Sequence, residues 1–296
     1  MFRQIIVFTK SPKLPSISGL RKAALKAGRK FIPINPMVET SFVLGENQYC
    51  SLTDKKFNSE DLLLIRSSGV EFDDIDLTFA QHLENRGIHA AELLSSLRIL
   101  RNKDQQMLYL NHLNLPIVPT WILRGKISQE MPWCQKSGVE KFVLKSVRGN
   151  KGIGQKLLTR SELKTFWEDA LSKNDQRYLI QPYLDSAPEI RVLALGENIF
   201  YLGRKEGRDW RKNSDFASFY PYPIGIDEKN TIDRYVSILK ASLSLKVFAI
   251  DLIRDQEKNW LILEVNGHPG LEASKHAMET SEDPYTLYLR SYDPSF

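Results

Sequence analysis

Residues Phe248–Glu272 read FAIDLIRDQEKNWLILEVNGHPGLE. Two apolar runs, Phe248–Ile253 and Trp260–Val265, flank the polar stretch Arg254–Asn259, which is the pattern of a β-hairpin. A turn centred between Glu257 and Lys258 sets Asp251 opposite Glu264, Ile253 opposite Ile262 and Ala249 opposite Asn266. A turn centred one residue earlier sets Asp251 opposite Ile262 and diagonal to Glu264. Directly opposed residues of an antiparallel pair share a face. Both registers therefore put Asp251, Glu264 and Asn266 on one face, with Leu252, Leu261, Leu263 and Val265 on the other. Neighbouring carboxylates in an apolar hairpin repel and are costly to desolvate. A divalent cation removes both costs, and three hard oxygen donors suit Mg²⁺ or Mn²⁺ better than zinc. An amphipathic hairpin with a polar outer face would show the same letters, so the rest of the chain has to decide.

The chain has 296 residues, enough for about two domains or one domain with lobes. It is 42% hydrophobic and 26% charged, as soluble globular proteins are. A net charge of +5 fits an anionic ligand but is too weak to indicate nucleic acid by itself. Cys50 and Cys134 stand far apart with no metal or disulfide spacing, so a reducing, cytoplasmic setting is expected. No apolar run approaches membrane length, and the first one, in MFRQIIVFTKSPK, is too short for a signal segment.

In chain order, strands are expected at Gln4–Thr9, Lys30–Ile34 and Asp61–Ile65, and helices at Gly19–Gly28 and Asp74–Arg86. A hairpin is expected from Ser41–Gly45 and Gln48–Leu52. This alternation predicts a parallel α/β lobe, with Thr9–Ser11 and Arg66–Gly69 at its ligand-facing carboxyl edge. Ser95–Leu113 has helical spacing, with Lys103 in its middle.

Lys141–Val147 reads as a strand with Val143, Lys145 and Val147 on one face and Phe142 and Leu144 on the other. A lysine between valines is costly unless it meets an anion or snorkels to an edge. The turn RGNKGIG follows, and Gly149, Gly152 and Gly154 permit close backbone approach to an anion. It lacks the Walker pattern, and a strand, Gln155–Leu158, follows it, so a flap over phosphates is the better reading. A helix at Ser161–Leu171, a strand at Tyr178–Gln181, a hairpin from Ile190–Leu195 and Ile199–Leu202, and a helix at Asn230–Leu245 complete the pattern. Glu189 and Arg191 share a face, and the basic stretch RKEGRDWRKN (Arg204–Asn213) would serve as a charge clamp beside phosphate.

Together the blocks LRNKDQQML, FVLKSVRGNKGIG, LIQPYLDSAPEIRVLALG, EGRDWRKN and IDLIRD…LILEVNGHPGLE resemble the ATP-grasp superfamily, and within it the RimK-type amino-acid ligases. The likeness covers about Leu97–Glu272. It implies an α/β fold of α+β lobes: a pre-ATP-grasp α/β domain at 1–95, a central ATP-grasp lobe with the flap at 96–176, and a C-terminal lobe with the metal site at 177–296.

Carried over residue by residue, the resemblance implies that Lys103 and Lys145 contact ATP phosphates. Gly149, Gly152 and Gly154 form the flap, and Gln181, Pro182, Tyr183 and Leu184 meet adenine through the backbone. Glu189 binds ribose, where many members have Asp, and Arg211 and Asn213 face the triphosphate. Asp251, Glu264 and Asn266 hold Mg²⁺ or Mn²⁺, as two ions. The oxyanion falls to Arg191 or Arg211, near the backbone of Pro269-Gly270. The implied reaction is ATP-driven amide formation through an acylphosphate, joining an amino-acid or peptide carboxylate to an amine on a peptide, protein or small metabolite. Its demands are positioning and charge neutralisation. The expectation leaves room for a homo-oligomer and includes no membrane or nucleic-acid partner. A nucleotide sensor without turnover and a basic nucleic-acid-binding protein are the competing classes. Lys145→Met is expected to leave stability intact or improved, since an ammonium compensated only by ATP would leave an apolar face.

Overall fold

The computed structural model describes residues 1–38, 42–43, 49–50, 57–67, 74–123, 138–147, 155–170, 177–185, 189–204 and 218–296. The first lobe is built on β1 (Gln4–Phe8), β2 (Lys30–Ile34), β5 (Asp61–Ile65) and β6 (His89–Ala90), a parallel sheet in the order β2-β1-β5-β6. β1 and β5 are buried at every position, as parallel strands covered on both faces must be. Helix α1 (Pro15–Lys26) covers one face through Ile17, Leu20 and Ala24, and α2 (Ile75–Glu84) covers the other through Leu77, Phe79 and Leu83. The expected hairpin is present as the short pair β3 (Phe42–Val43) and β4 (Tyr49–Cys50).

The predicted single helix over 95–113 is two helices, α3 (Leu94–Arg101) and α4 (Lys103–His112). Asn102 between them is extended, with φ −104° and ψ 108°, and its side-chain amide donates to the Arg98 carbonyl at 2.9 Å. Lys103 thus opens a helix, with its N–H bonded to the Val147 carbonyl at 3.1 Å.

The second sheet is antiparallel: β7 (Trp121–Leu123), β8 (Lys141–Ser146), β9 (Lys156–Thr159) and β10 (Tyr178–Pro182), in the order β7-β10-β8-β9. Helix α5 (Arg160–Ala170) packs on it through Leu163, against Phe142, Leu144 and Ile180. β10 follows the expected boundary at 176 and 177, yet it hydrogen-bonds into this sheet.

The third sheet has five strands in the order β13-β12-β11-β14-β15: β11 (Ile190–Leu195), β12 (Asn198–Arg204), β13 (Phe219–Pro221), β14 (Val247–Arg254) and β15 (Trp260–Asn266). Helix α6 (Ile226–Leu243) covers one face, where Val192, Ile250 and Leu252 meet Ile232, Val236 and Leu239. On the other face Leu193, Val247 and Ala249 join the first lobe's core together with α7 (Pro284–Arg290). Two lobes therefore share one apolar core, and the polar end of the third sheet opens where they meet the second.

Candidate active site

The polar row crosses three strands. Arg191 on β11 pairs with Asp251 on β14, and Asp251 pairs with Glu264 on β15; Ala249 pairs with Asn266. Both carboxylates and the amide share the expected face. The register then slips by one at a bulge after Asp251, so Leu252 faces Ile262 and Ile253 faces Leu261. This corrects the expected pairing of Ile253 with Ile262. It also corrects the apolar face: Ile262 lies fully buried with Leu252 and Val265, while Leu261 and Leu263 are half-buried outside that core. An extra residue in one strand lets the acidic end keep its register while the turn end swaps faces.

Asp251 is buried, and the Arg191 guanidinium grips it with both forks, Nε to Oδ1 at 2.7 Å and Nη2 to Oδ2 at 2.8 Å. Arg204 at the end of β12 lies between two acids, its Nη2 3.6 Å from Asp251 and its Nη1 3.6 Å from Glu189. Burial alone would raise the Asp251 carboxyl; Arg191 above all, then Arg204 and Lys145, hold it below the usual carboxylate range. Arg191 is thus engaged with Asp251 through Nε and Nη2.

Lys145 does not snorkel. It is buried in the site, where desolvation pulls its ammonium down, Glu264, Glu189 and Asp251 oppose this, and Lys103 adds to it. Lys103 is buried too, brought in by the break before α4. On β10 the Gln181 side chain turns into the core, its Nε2 donating to Thr120 Oγ1 at 2.8 Å and its Oε1 buried without a partner. The Tyr183 N–H is committed to the Lys141 carbonyl at 2.9 Å. Pro182 ends the strand opposite Phe142, and Leu184 follows it. The flap glycines Gly149, Gly152 and Gly154, and also Arg211 and Asn213, lie outside the described residues.

Beyond β15 the Asn266 Oδ1 accepts the His268 N–H at 2.8 Å. Gly267 lets this segment lie on α3, since a Cβ there would come within 3.0 Å of Leu100 Cδ1. Arg66 reaches across from the first lobe, Nη2 to the Pro269 carbonyl at 3.0 Å. Gly270 is exposed, with nothing within 4 Å of where a Cβ would stand. Burial and the guanidinia of Arg101 and Arg66 push the His268 imidazole well below its usual value. Arg101 is itself neutralised by Asp76 at 2.5 Å, and it also donates to the Ser67 carbonyl at 3.0 Å. Arg204 opens the basic stretch read from the sequence as a charge clamp, whereas Arg101 and His268 carry no local signal in the sequence.

The donors suit a hard cation. Asp251 keeps a second lone pair on each oxygen, Glu264 stands opposite it, and Asn266 supplies an amide oxygen with capacity to spare. Among the described residues no group of three or more His, Cys, Asp or Glu is placed for a metal. Mg²⁺ usually takes one or two carboxylates and fills its shell with phosphate and water.

Residues 106–284 match the family described as the RimK-like ATP-grasp domain. A probable alpha-L-glutamate ligase of Mannheimia succiniciproducens is 24% identical over 287 residues, with 91% of each chain covered. One of Haemophilus influenzae is 22% identical over 281 residues, again with 91% of each covered. Among solved structures, D-alanyl-alanine synthetase A of Vibrio cholerae superposes with a TM-score of 0.73 at 15% identity, covering 100% of this chain and 99% of that one. A RimK domain ATP-grasp protein of Sphaerobacter thermophilus gives a TM-score of 0.70 at 13% identity, with 98% and 99% covered. These likenesses show the ATP-grasp fold.

Proposed function

The chain belongs to the RimK-like ATP-grasp family, and from that premise we propose an ATP-dependent carboxylate–amine ligase that joins an amino acid to a peptide, protein or small-metabolite partner. The observation that carries this reading is the row Arg191–Asp251–Glu264 across three strands, with Asn266 on the same face and Lys145 and Lys103 buried beside it. In this class of reaction a carboxylate is phosphorylated by ATP, an amine attacks the acyl carbon, and phosphate leaves. Asp251, Glu264 and Asn266 would hold Mg²⁺ or Mn²⁺, which when bound neutralises phosphate charge. Lys145 and Lys103 would meet phosphate oxygens, and Glu189, held by Arg204, would take the ribose. Arg191 and Arg204 fix Asp251 as an oriented carboxylate, so little reorganisation is needed when ligands arrive. Arg211, Asn213 and the glycines 149, 152 and 154 would cover the triphosphate, and Gly270 would leave room beside the reacting carbon.

No helix among the described residues is long and apolar enough to cross a membrane. The relatives' names make L-glutamate the first amino acid to try, and a cytoplasmic location belongs to the same reading. The test is ADP release over a matrix of amino acids and amine acceptors, with mass spectrometry of the product. A new amide product formed together with ADP supports the ligase. Nucleotide binding without turnover on any pair would favour a sensor instead.

A further inference from the structure

We propose that the Arg66 guanidinium, with the His268 imidazole beside it, binds the free carboxylate of an amino-acid substrate, the one kept in the product. This rests on the ligase reading and assigns a substrate class to a corner that the nucleotide chemistry does not use.

Arg66 follows β5 at the carboxyl edge of the first sheet and points at the segment after β15. Its Nη2 is spent on the Pro269 carbonyl at 3.0 Å, its guanidinium carbon lies 5.5 Å from the centre of the Tyr288 ring, and the guanidinium also hydrogen-bonds the Tyr288 hydroxyl. Its Nη1 is buried with no hydrogen-bond partner, and no carboxylate pairs with Arg66 among the described residues. The His268 ring lies within electrostatic range of Arg66, and its Nε2 is likewise buried without a partner. Unmet polar atoms in a buried place cost free energy unless a ligand supplies partners. Two of them on neighbouring side chains match the two oxygens of a carboxylate, and a guanidinium gives the charge-assisted half of the contact.

Arg101, which also acts on His268, is already balanced by Asp76 at 2.5 Å and Asp74 at 3.6 Å, whereas among the described residues no ion pair balances Arg66. Glu264, Glu189 and Asp251 are engaged with Lys145. The Arg66 corner is a second candidate for an anion. It is also adjacent to the metal candidates, since the His268 N–H is bonded to Asn266 Oδ1. Gly270, next to Pro269 in the chain, has open space where a Cβ would stand. A small α-amino acid with its carboxylate on Arg66 fits that arrangement.

The experiment uses the full chain with Mg²⁺ and a non-hydrolysable ATP analogue. L-Glutamate, L-aspartate, L-alanine and L-lysine, each beside its α-carboxamide, are titrated by calorimetry. At least one amino acid should bind, with its carboxamide weaker by about ten-fold or more, the loss expected for one charge-assisted contact. Arg66→Gln should erase that preference and leave the affinity for the analogue unchanged; His268→Ala should reduce the preference in part. The wild-type comparison stands even if Arg66→Gln fails to fold. Equal binding of acid and carboxamide overturns the proposal, as does a preference that survives in Arg66→Gln. So does the absence of any amino-acid binding while the analogue binds, and that outcome leaves the nucleotide site standing. If the analogue itself does not bind, the ligase reading falls and this proposal falls with it.

Discussion

Arg191 and Asp251 face each other across the β11–β14 ladder and close a bidentate ion pair, at 2.7 and 2.8 Å, in a buried setting. Removing one member of such a pair strands the other, at a cost of about 3–5 kcal/mol. In Arg191→Ala the Arg204 contact at 3.6 Å is left to balance Asp251 from the strand side. Unfolding stability should therefore fall by about that amount. If Asp251 is also a metal ligand, saturating Mg²⁺ should raise the Tm of the variant more than that of the wild type. A variant whose Tm ignores Mg²⁺ would remove Asp251 from the metal set.

Glu264 stands opposite Asp251 and is only half-buried, so Glu264→Gln should fold almost normally. Loss of an outer partner of a metal costs about 10–100-fold in affinity, and loss of a direct ligand should cost no less. ADP release titrated against Mg²⁺ should show the midpoint displaced by at least about 100-fold, or activity lost. Near-normal turnover at ordinary Mg²⁺ would show that the hairpin row is structural.

Lys145→Met should weaken ATP–Mg²⁺ binding by roughly 1.5–3 kcal/mol, about one to two decades in Kd. The sequence alone suggests that stability would hold or improve. The structure reverses that expectation, because Glu264, Glu189 and Asp251 already surround the ammonium. Removing it leaves three acids with less compensation, so the Tm should drop without nucleotide. Calorimetric titration and melting curves on both proteins check the two halves separately. Unchanged affinity would take Lys145 out of the phosphate site.

Glu92, after β6, ties the first lobe to the third sheet. It accepts the Val247 N–H at 3.0 Å, the Lys246 N–H at 3.2 Å and the Tyr292 hydroxyl. Burial pushes its carboxyl up to about 7, against the pull of these donors and of the Lys246 charge. The folded value lies above the unfolded one, so the folded chain keeps a proton that the unfolded chain releases. The contribution is fully present below about pH 4.5 and is lost as the pH rises to about 7. The wild-type Tm should carry this decline between about pH 4.5 and about pH 7, and Glu92→Gln should lack it. Parallel profiles for the two proteins would mean that Glu92 ionises freely in the fold.

The sequence by itself determined which residue types share a face. Strand side chains alternate with period two, so Asp251, Glu264 and Asn266 fall together under either register, and Lys145 falls opposite Phe142 and Leu144. The ATP-grasp fold was implied by the resemblance of five sequence blocks, in their order, to that family. Tertiary structure decided what those residues do to one another. The bulge after Asp251 exists because Ile262 packs with Leu252 in a core that distant α6 completes. The break at Asn102 is fixed by Val147, whose carbonyl takes the Lys103 N–H. Arg204 reaches Glu189 and Asp251 only because β12 folds back on β11, and Arg66 meets Pro269 only because two lobes share one core. Such contacts join residues far apart in the chain, where no local period can encode them, and their energies depend on burial that only the assembled fold supplies.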